Sequence, residues 1–170
     1  MTPPVPLTYS DEFLIGVLRR VKSIAVVGAS NDPVKASYFV MKYMQENGYQ
    51  VFPVNPKLAG GSLLGRTVYA SLADLPEPVD MVDVFRNSAA AAAVTDEAIS
   101  IGAKVVWMQL TVRNDEAAAR AEAAGLTVVM DRCPKMEYQR LMGEIGRIGV
   151  NSQMLTAKRR PPAKQIKKLI

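Results

Sequence analysis

The residues best suited to binding or chemistry follow two apolar runs near the start of the chain. Gly28 ends the run SIAVV and opens the turn GASNDPVK, and Lys57 closes the stretch VFPVNPK. Glycine allows a backbone to turn sharply, and the free amide groups at the start of a following helix attract anions. A lysine near such a turn adds a positive charge. Together the two stretches predict a site for a phosphorylated ligand.

The residues around these turns also narrow the class of ligand. Residues 28–33 read GASNDP, so the second and third glycines of the dinucleotide fingerprint G-x-G-x-x-G are absent. An NAD site places Asp or Glu after the second strand, where the carboxylate binds ribose hydroxyls, but this chain has Asn55, Pro56 and Lys57. Lysine in that place favours a phosphate on the ribose. The pattern therefore favours NADP or coenzyme A over NAD.

The residue types that usually perform catalysis are scarce. The chain contains no histidine and one cysteine, which excludes a Ser-His-Asp triad, a Cys-His pair, a histidine-based metal site and a zinc-binding cysteine cluster. The sequence also lacks the phosphate-loop pattern G-x-x-x-x-G-K-S/T. These absences leave enzymatic activity open but favour a binding function.

Two kinds of side chain could still act chemically. Cys133 precedes Pro134 at the predicted start of a helix, where a thiolate is favoured, and it could form a mixed disulfide with the thiol of coenzyme A. A buried, unreactive thiol is the alternative that we favour. Asp80 and Asp83 suggest acid-base chemistry, but we expect Asp83 to position a neighbouring loop instead.

Composition indicates a single globular domain with a basic end. The chain has 170 residues, of which 49% are apolar, and a net charge of +5. Residues 156–170 contain six basic residues and no acidic ones, so the remainder is close to neutral. We interpret this end as a mobile tail rather than a contact for nucleic acid or an acidic membrane. No apolar run reaches the ~18 residues needed to cross a bilayer, and we expect a cytoplasmic protein.

Apolar runs and helical periods alternate along most of the chain. The apolar runs predict strands at residues 24–28, 50–54, 80–85, 104–108 and 126–130. Helices are predicted at about residues 35–47, 88–101 and 115–124, with one before the first strand and a last one from about residue 134. Thr8 and Asp11 have capping-box spacing for the first helix. The segment 60–76 is interpreted as a loop with one small strand and one helical turn.

Continuous apolar strands separated by helices predict an α/β fold of the Rossmann-like, doubly wound type. We expect a mainly parallel sheet of five or six strands, with helices on both faces, in residues 23–148. Residues 1–22 are then an N-terminal arm with a short helix, and residues 149–170 are the basic tail. Ligands of such sheets bind beyond the carboxyl ends of the strands. The candidate site therefore comprises four loops, at residues 28–35, 55–57, 85–88 and 109–113.

Several stretches of the sequence resemble one family, the small stand-alone CoA-binding proteins. Their domain is similar to the CoA-binding domain of the succinyl-CoA synthetase alpha subunit. The resemblance covers about residues 15–145 and rests on VVGAS with Lys35 and Ser37, and on VFPVNPK, SLADLPEPVDMVDVFR, VVWMQ and VVMDRCPKMEYQRL. One position departs from the family, which commonly has a glycine where this chain has Thr111.

The resemblance implies a Rossmann-like domain that binds coenzyme A as its cofactor. The residues implied for the phosphoadenosine diphosphate part are Gly28, Ala29, Ser30, Lys35, Ser37, Asn55, Pro56 and Lys57. Those implied for the pantetheine arm are Phe85, Arg86 and Gln109. No metal ligand and no catalytic residue are implied.

We expect a non-catalytic or regulatory protein that binds coenzyme A or an acyl-CoA. The related synthetase subunits carry phosphate on a histidine, and this chain has none. Two alternatives from the enzyme class stay open: an NADP-dependent oxidoreductase, and a CoA-ligase-related subunit that acts with a separate partner. A homodimer formed through the first or last helix is also left open.

Overall fold

A computed structural model describes residues 4–143 of the chain. The predicted basic tail, residues 149–170, lies outside the described residues. The helices are α1 Asp11–Arg20, α2 Ala36–Glu46, α3 Ser88–Ser100, α4 Asp115–Ala123 and α5 Pro134–Leu141. The strands are β1 Ser23–Val27, β2 Gln50–Val54, β3 Ser62–Leu63, β4 Arg66–Thr67, β5 Met81–Val84, β6 Val105–Met108 and β7 Thr127–Val129.

Five of the strands form one parallel sheet in the order β2-β1-β5-β6-β7. This confirms the predicted Rossmann-like α/β fold with a mainly parallel sheet. The segment 60–76 is more regular than expected, because β3 and β4 pair as an antiparallel hairpin outside the main sheet. A 3-10 turn at Leu72–Asp74 follows the hairpin, and Ser71 and Asp74 form a capping box around it.

Helices cover both faces of the sheet. Helices α3 and α4 pack on one face through small residues such as Ala91 and Ala121, against strand residues such as Val82. On the other face α1, α2 and α5 pack against residues of the opposite parity, including Trp107, which is fully buried. The Trp107 indole Nε1 donates a hydrogen bond to the carbonyl of Arg132 at 2.8 Å. Trp107 is thus a core residue on this face of the sheet.

The start of α1 differs from the expectation. Ser10 is the N-cap residue, and its hydroxyl accepts a hydrogen bond from the Phe13 amide at 3.1 Å. The predicted capping box of Thr8 and Asp11 is therefore wrong, because Asp11 is already the first residue of the helix. The Asp11 carboxylate instead accepts a hydrogen bond from Arg140 of α5 at 2.8 Å.

An ion cluster centred on Arg140 joins the first and last described helices. The Arg140 side chain is only 5% exposed and also binds Glu137, with an Nη2–Oε2 distance of 2.6 Å. Glu137 is itself buried. A buried charge that loses its partner is costly, because water does not reach it to compensate. The cluster therefore makes the docking of α5 depend on both carboxylates.

Arg140→Ala should lower the free energy of unfolding by about 3–5 kcal/mol, since it leaves Glu137 buried without its partner. Arg120→Ala is the matched control, because Arg120 binds Asp96 with similar geometry (Nε–Oδ1 3.0 Å) but the pair is about half exposed. Arg120→Ala should lose much less stability than Arg140→Ala, because solvent screens an exposed ion pair. Urea unfolding of both variants provides the comparison. Equal losses would show that burial of the Arg140 cluster contributes nothing.

Candidate functional site

The sheet has its topological switch point between β1 and β5. From the end of β1 the chain continues into α2 on one face, and from the end of β5 it continues into α3 on the other face. The two connections diverge and leave a crevice at the carboxyl ends of the strands, where ligands of open α/β sheets bind.

Gly28 is required at the base of this crevice. It has a φ of +89°, and a Cβ atom placed on it would lie 2.4 Å from the backbone oxygen of Phe85. The Phe85 amide also donates to the carbonyl of Val27 at 2.9 Å. Any side chain larger than hydrogen would therefore push the loops after β1 and β5 apart.

Backbone hydrogen bonds lock the loop after β1 to β2. The carbonyl of Val54 accepts from the amides of Gly28 and Ala29, at 3.0 and 3.3 Å. The side-chain amide of Asn55 donates to the carbonyl of Ala29 at 2.7 Å. The amides of Gly28 and Ala29 are thus committed to β2 and are not available to a ligand in this arrangement.

Amides that are available lie at the start of α2. Its N-cap residue Lys35 makes no side-chain capping bond, and the first turn contains no acidic residue. The amides of Ala36 and Ser37 donate no hydrogen bond within the described part of the chain. An uncapped helix start concentrates positive electrostatic potential at such amides and favours an anion.

A small cavity of about 360 Å³ opens over this helix start. It brings together six residues implied for the phosphoadenosine part: Gly28, Ala29, Ser30, Lys35, Ser37 and Asn55. Phe85 and Arg86 close its other side. The side chains of Lys35 and Arg86 are exposed and form no ion pair or hydrogen bond among residues 4–143. The small cavity therefore combines open amides with two available cations.

Two of the residues implied for the phosphoadenosine part lie outside this cavity. Pro56 and Lys57 are exposed on the turn that follows β2, and neither lines the small cavity. The turn is held in place because the Asn55 side-chain oxygen accepts from the Lys57 amide at 2.9 Å. A contact between the Lys57 ammonium group and a ligand stays a prediction.

A large cavity of about 680 Å³ adjoins the small one. The two share Ala36, Phe85 and Arg86 in their walls. The remaining walls come from α2, the loops after β5 and β6, and the start of α5, and include the candidates Gln109 and Cys133. Phe85, Arg86 and Gln109, which the resemblance places along the pantetheine arm, are thus together in one cavity.

Gln109 is held from beneath by the buried carboxyl group of Asp83. Its Nε2 donates to Asp83 Oδ1 at 2.7 Å, and the two residues are 7% and 1% exposed. Burial raises the pKa of Asp83 to about 7, because the hydrogen bond from Gln109 offsets only part of the lost hydration. Asp83 thus bonds to the first residue after β6, and the expectation that it caps or positions a neighbouring loop stays a prediction.

Cys133 lies at the N-cap of α5, as the sequence predicts, and lines the large cavity. Burial raises the pKa of its thiol, although the backbone amide of Met136 acts in the opposite direction. The nearby Asp83 raises it further. The thiol form is therefore favoured at neutral pH, and reaction with a ligand thiol stays a prediction.

Thr111, the departure from the family pattern, also lines the large cavity. Its φ is +69°, in the left-handed region that favours glycine and strains a β-branched residue. The Thr111 amide donates to Asp131 Oδ1 at 2.7 Å, which holds the strained loop in place. The backbone conformation explains why a glycine is common at this position.

The apolar wall of the large cavity does not follow from the sequence pattern. Phe39 on α2, Leu110 after β6 and Met136 on α5 line it, with exposed fractions of 43%, 47% and 54%. Of these, Leu110 could have been suspected, because it follows Gln109 in a rim loop. Phe39 and Met136 are helical apolar residues that a sequence pattern does not separate from core residues.

Neither a metal cluster nor a membrane span is evident in residues 4–143. No three His, Cys, Asp or Glu side chains in that range are placed to hold a metal ion. No helix there has both the length and the apolar character required to cross a bilayer.

The sequence profile of the CoA binding domain matches residues 22–139. The chain belongs to this family, which confirms the resemblance seen in its motifs. It is 39% identical over 122 residues to the uncharacterized protein YneT of Bacillus subtilis (strain 168), a match that covers 72% of this chain and 89% of that protein.

Two further comparisons place the chain among its relatives. A hypothetical protein from Pyrococcus horikoshii OT3 has a similar structure, with a TM-score of 0.77 and 42% identity, over 84% of this chain and 100% of that one. The alpha subunit of ADP-forming acetate–CoA ligase I from Pyrococcus furiosus is 38% identical over 89 residues. That match spans 50% of this chain but only 19% of the ligase subunit.

Gly28→Ala should destabilise the fold more than a glycine substitution without a steric conflict. Gly48→Ala is the matched control, since Gly48 has a φ of +92° but no atom within 4 Å of an added Cβ. It should cost about 1–2 kcal/mol from backbone conformation alone. Gly28→Ala should cost more, because the Phe85 backbone must also move. Urea unfolding measures both, and equal losses would contradict the proposed close approach.

Asp83 should make the folded chain less stable as the pH rises. Folding raises its pKa from 3.8 to about 7, so over this interval the folded chain holds a proton that the unfolded chain has released. The free energy of unfolding should fall by up to about 1.4 kcal/mol per pH unit from this group and level off above about pH 7. Asp83→Asn should remove this fall in urea unfolding at about pH 5 and about pH 8.

Asp80→Asn is the control, and it should leave the change in stability between about pH 5 and about pH 8 as it is in the wild type, because Asp80 is ionised at both values. Burial alone would raise the pKa of Asp80, but hydrogen bonds from Lys104 and from the Lys22 and Ser23 amides lower it overall. Its stabilising effect is present near neutral pH and is lost in acid. If the difference in stability between wild type and Asp83→Asn were the same at both pH values, the raised pKa of Asp83 would be refuted.

Proposed function

We propose that this chain binds coenzyme A or an acyl-CoA, mainly through the phosphoadenosine diphosphate part of the ligand. The observation that carries the proposal is the uncapped start of α2 beside Lys35 and Arg86, next to the large cavity. Anionic phosphates and a long, less polar arm are the two parts of coenzyme A that such a pair of cavities suits. Membership of the CoA binding domain family supports the same ligand.

The phosphates are proposed to bind in the small cavity. The amides of Ala36 and Ser37 would donate to the diphosphate, with Lys35 and Arg86 adding charge-assisted contacts. Gly28, Ala29, Ser30 and Asn55 line this cavity, and the hydrogen bonds from Gly28 and Ala29 to β2 and from Asn55 to Ala29 hold its shape. Pro56 and Lys57 lie on the adjoining turn, and Lys57 is proposed to contact the 3′-phosphate.

The pantetheine arm is proposed to enter the large cavity, between Phe85 and Gln109. Phe39, Leu110 and Met136 give this cavity apolar surface that an acyl group on the arm could cover. Cys133 lies in the same wall and could form a mixed disulfide by exchange with a disulfide form of the ligand, which releases the second thiol of that disulfide.

We propose a binding or regulatory role rather than catalysis. The sequence supports this through its lack of histidine, since the related synthetase subunits carry phosphate on that residue. A CoA-ligase-related subunit acting with a separate partner is the second candidate, favoured by the similarity to the acetate–CoA ligase alpha subunit. The NADP-dependent oxidoreductase remains the alternative within the Rossmann-like folds.

A ligand panel distinguishes these functions. Thermal unfolding is measured with coenzyme A, dephospho-coenzyme A, NADP, NAD and AMP at equal concentrations. A ligand present at 100 times its Kd stabilises the folded state by about 2.7 kcal/mol. Coenzyme A should raise the Tm most and dephospho-coenzyme A less. Stabilisation by NADP alone would favour the oxidoreductase, and no response to coenzyme A would refute the proposal.

The role of Lys57 is tested by charge reversal on the same panel. Lys57→Glu should weaken coenzyme A about 10- to 100-fold, because a charge-assisted bond is replaced by repulsion, and should weaken dephospho-coenzyme A far less. Lys42→Glu changes the charge equally at an exposed position on α2 that lines neither cavity, and should affect both ligands little. Equal losses for the two ligands in Lys57→Glu would remove the 3′-phosphate contact.

A further inference from the structure

The pair formed by Asp83 and Gln109 lies below the large cavity, and only one of the two Asp83 carboxyl oxygens has a hydrogen-bond partner among the described residues. Asp83 Oδ1 accepts the hydrogen bond from Gln109 Nε2, whereas Asp83 Oδ2 is buried and has no partner among the described residues. The residues in register with Asp83 on the neighbouring strands are apolar, Val26 of β1 and Trp107 of β6. No cation in residues 4–143 pairs with this carboxyl group.

The other end of the Gln109 amide is accessible. The Gln109 Oε1 atom accepts no hydrogen bond within the described part of the chain. This oxygen is also not fully buried, so solvent reaches it. Because Gln109 as a whole is only 7% exposed and lines the large cavity, this oxygen is reached from that cavity. The amide therefore presents an acceptor to whatever occupies the cavity.

We propose that Asp83 is a positioning residue, which fixes the Gln109 amide with its carbonyl oxygen toward the large cavity so that the cavity selects a ligand with an N–H donor. This inference rests on the proposed function, in which the donor is a secondary amide of the pantetheine arm. An ionised carboxyl group only accepts hydrogen bonds, so above about pH 7, where Asp83 is ionised, Gln109 must turn its NH2 group toward it. The reverse orientation of the amide is excluded while the carboxyl group is ionised.

The energetic cost of Asp83 supports this role. A buried carboxyl group without a cation and with one unpartnered oxygen destabilises the fold, and an apolar residue would pack on Val26 and Trp107 without that penalty. Neither the β5 ladder nor the packing of α2 and α5 uses the Asp83 side chain for a hydrogen bond. Its one hydrogen bond goes to a residue of the cavity wall.

The test compares coenzyme A with adenosine 3′,5′-bisphosphate, which lacks the pantetheine arm, by isothermal titration calorimetry at about pH 8, where Asp83 is ionised. Asp83→Val should weaken coenzyme A about five- to tenfold, the equivalent of one hydrogen bond, and adenosine 3′,5′-bisphosphate less than about twofold. Gln109→Leu should give the same pattern. The double variant should be no weaker than either single variant, because both act on one contact.

Two further variants separate orientation from general packing. Asp83→Asn keeps an acceptor for Gln109 Nε2 but also permits the reversed amide, so coenzyme A should weaken only about two- to threefold. Thr95→Val removes an equally buried polar side chain on α3 that lines neither cavity, and should leave both ligands unchanged. Thermal unfolding of each variant verifies that it is folded.

The outcomes are separable from those of the proposed function. If the wild-type protein binds neither ligand, the proposed function fails. If the wild type binds coenzyme A but Asp83→Val and Gln109→Leu bind it equally well, or lose both ligands in parallel, the positioning role is overturned. Should Asp83→Val fail to fold, Gln109→Leu and Asp83→Asn still decide the question, because an unchanged affinity for coenzyme A in both would refute it.

Discussion

The close approach of β1 and β5 at Gly28 is the constraint on which the rest of the site depends. With no side chain on Gly28, the backbone of Phe85 comes near enough for the loops after these strands to share one crevice. The same approach places Arg86 where it borders both cavities. A wider junction would separate the start of α2 from the loops after β5 and β6, and the two cavities would no longer adjoin. A steric condition at one residue thus controls the distance between the two cavities.

The fold and much of the crevice could be predicted from the sequence because they follow from local patterns. Continuous apolar strands between helical periods define a parallel sheet, and Gly28 marks the first turn. The partners of particular groups could not be predicted. The carbonyl of Val54 occupies the amides of Gly28 and Ala29, and this depends on the register of β2 beside β1. The sequence identifies which loops meet, whereas the hydrogen bonds among them depend on distances that only the packed sheet determines.

Two buried ionisable groups, Arg140 and Asp83, differ in how far their neighbours compensate the charge. The contrast distinguishes a group that stabilises the fold from one that contributes to specificity. Arg140 joins two carboxylates and ties α1 to α5, so its charge is neutralised by its neighbours. Asp83 has one amide partner and one oxygen without any among the described residues. The first arrangement limits the cost of burial by pairing opposite charges. The second arrangement leaves part of the desolvation cost uncompensated. Such a cost is retained where the buried group fixes the geometry of another side chain.

The two adjoining cavities also affect selectivity. Together they would distinguish a ligand that has both phosphates and a less polar arm from a ligand that has only one of these parts. Binding at the start of α2 alone is open to any phosphate of suitable charge, because helix amides and flexible cations do not read the rest of the molecule. Binding in the large cavity alone would rely largely on apolar contact. When one ligand occupies both cavities, its second part binds at a high effective concentration because the first part is already bound. The two affinities then combine, and neither part of the ligand needs to bind tightly by itself. Selectivity then comes from the span between the two parts, and in this fold Gly28 and the loop from Phe85 to Arg86 set that span.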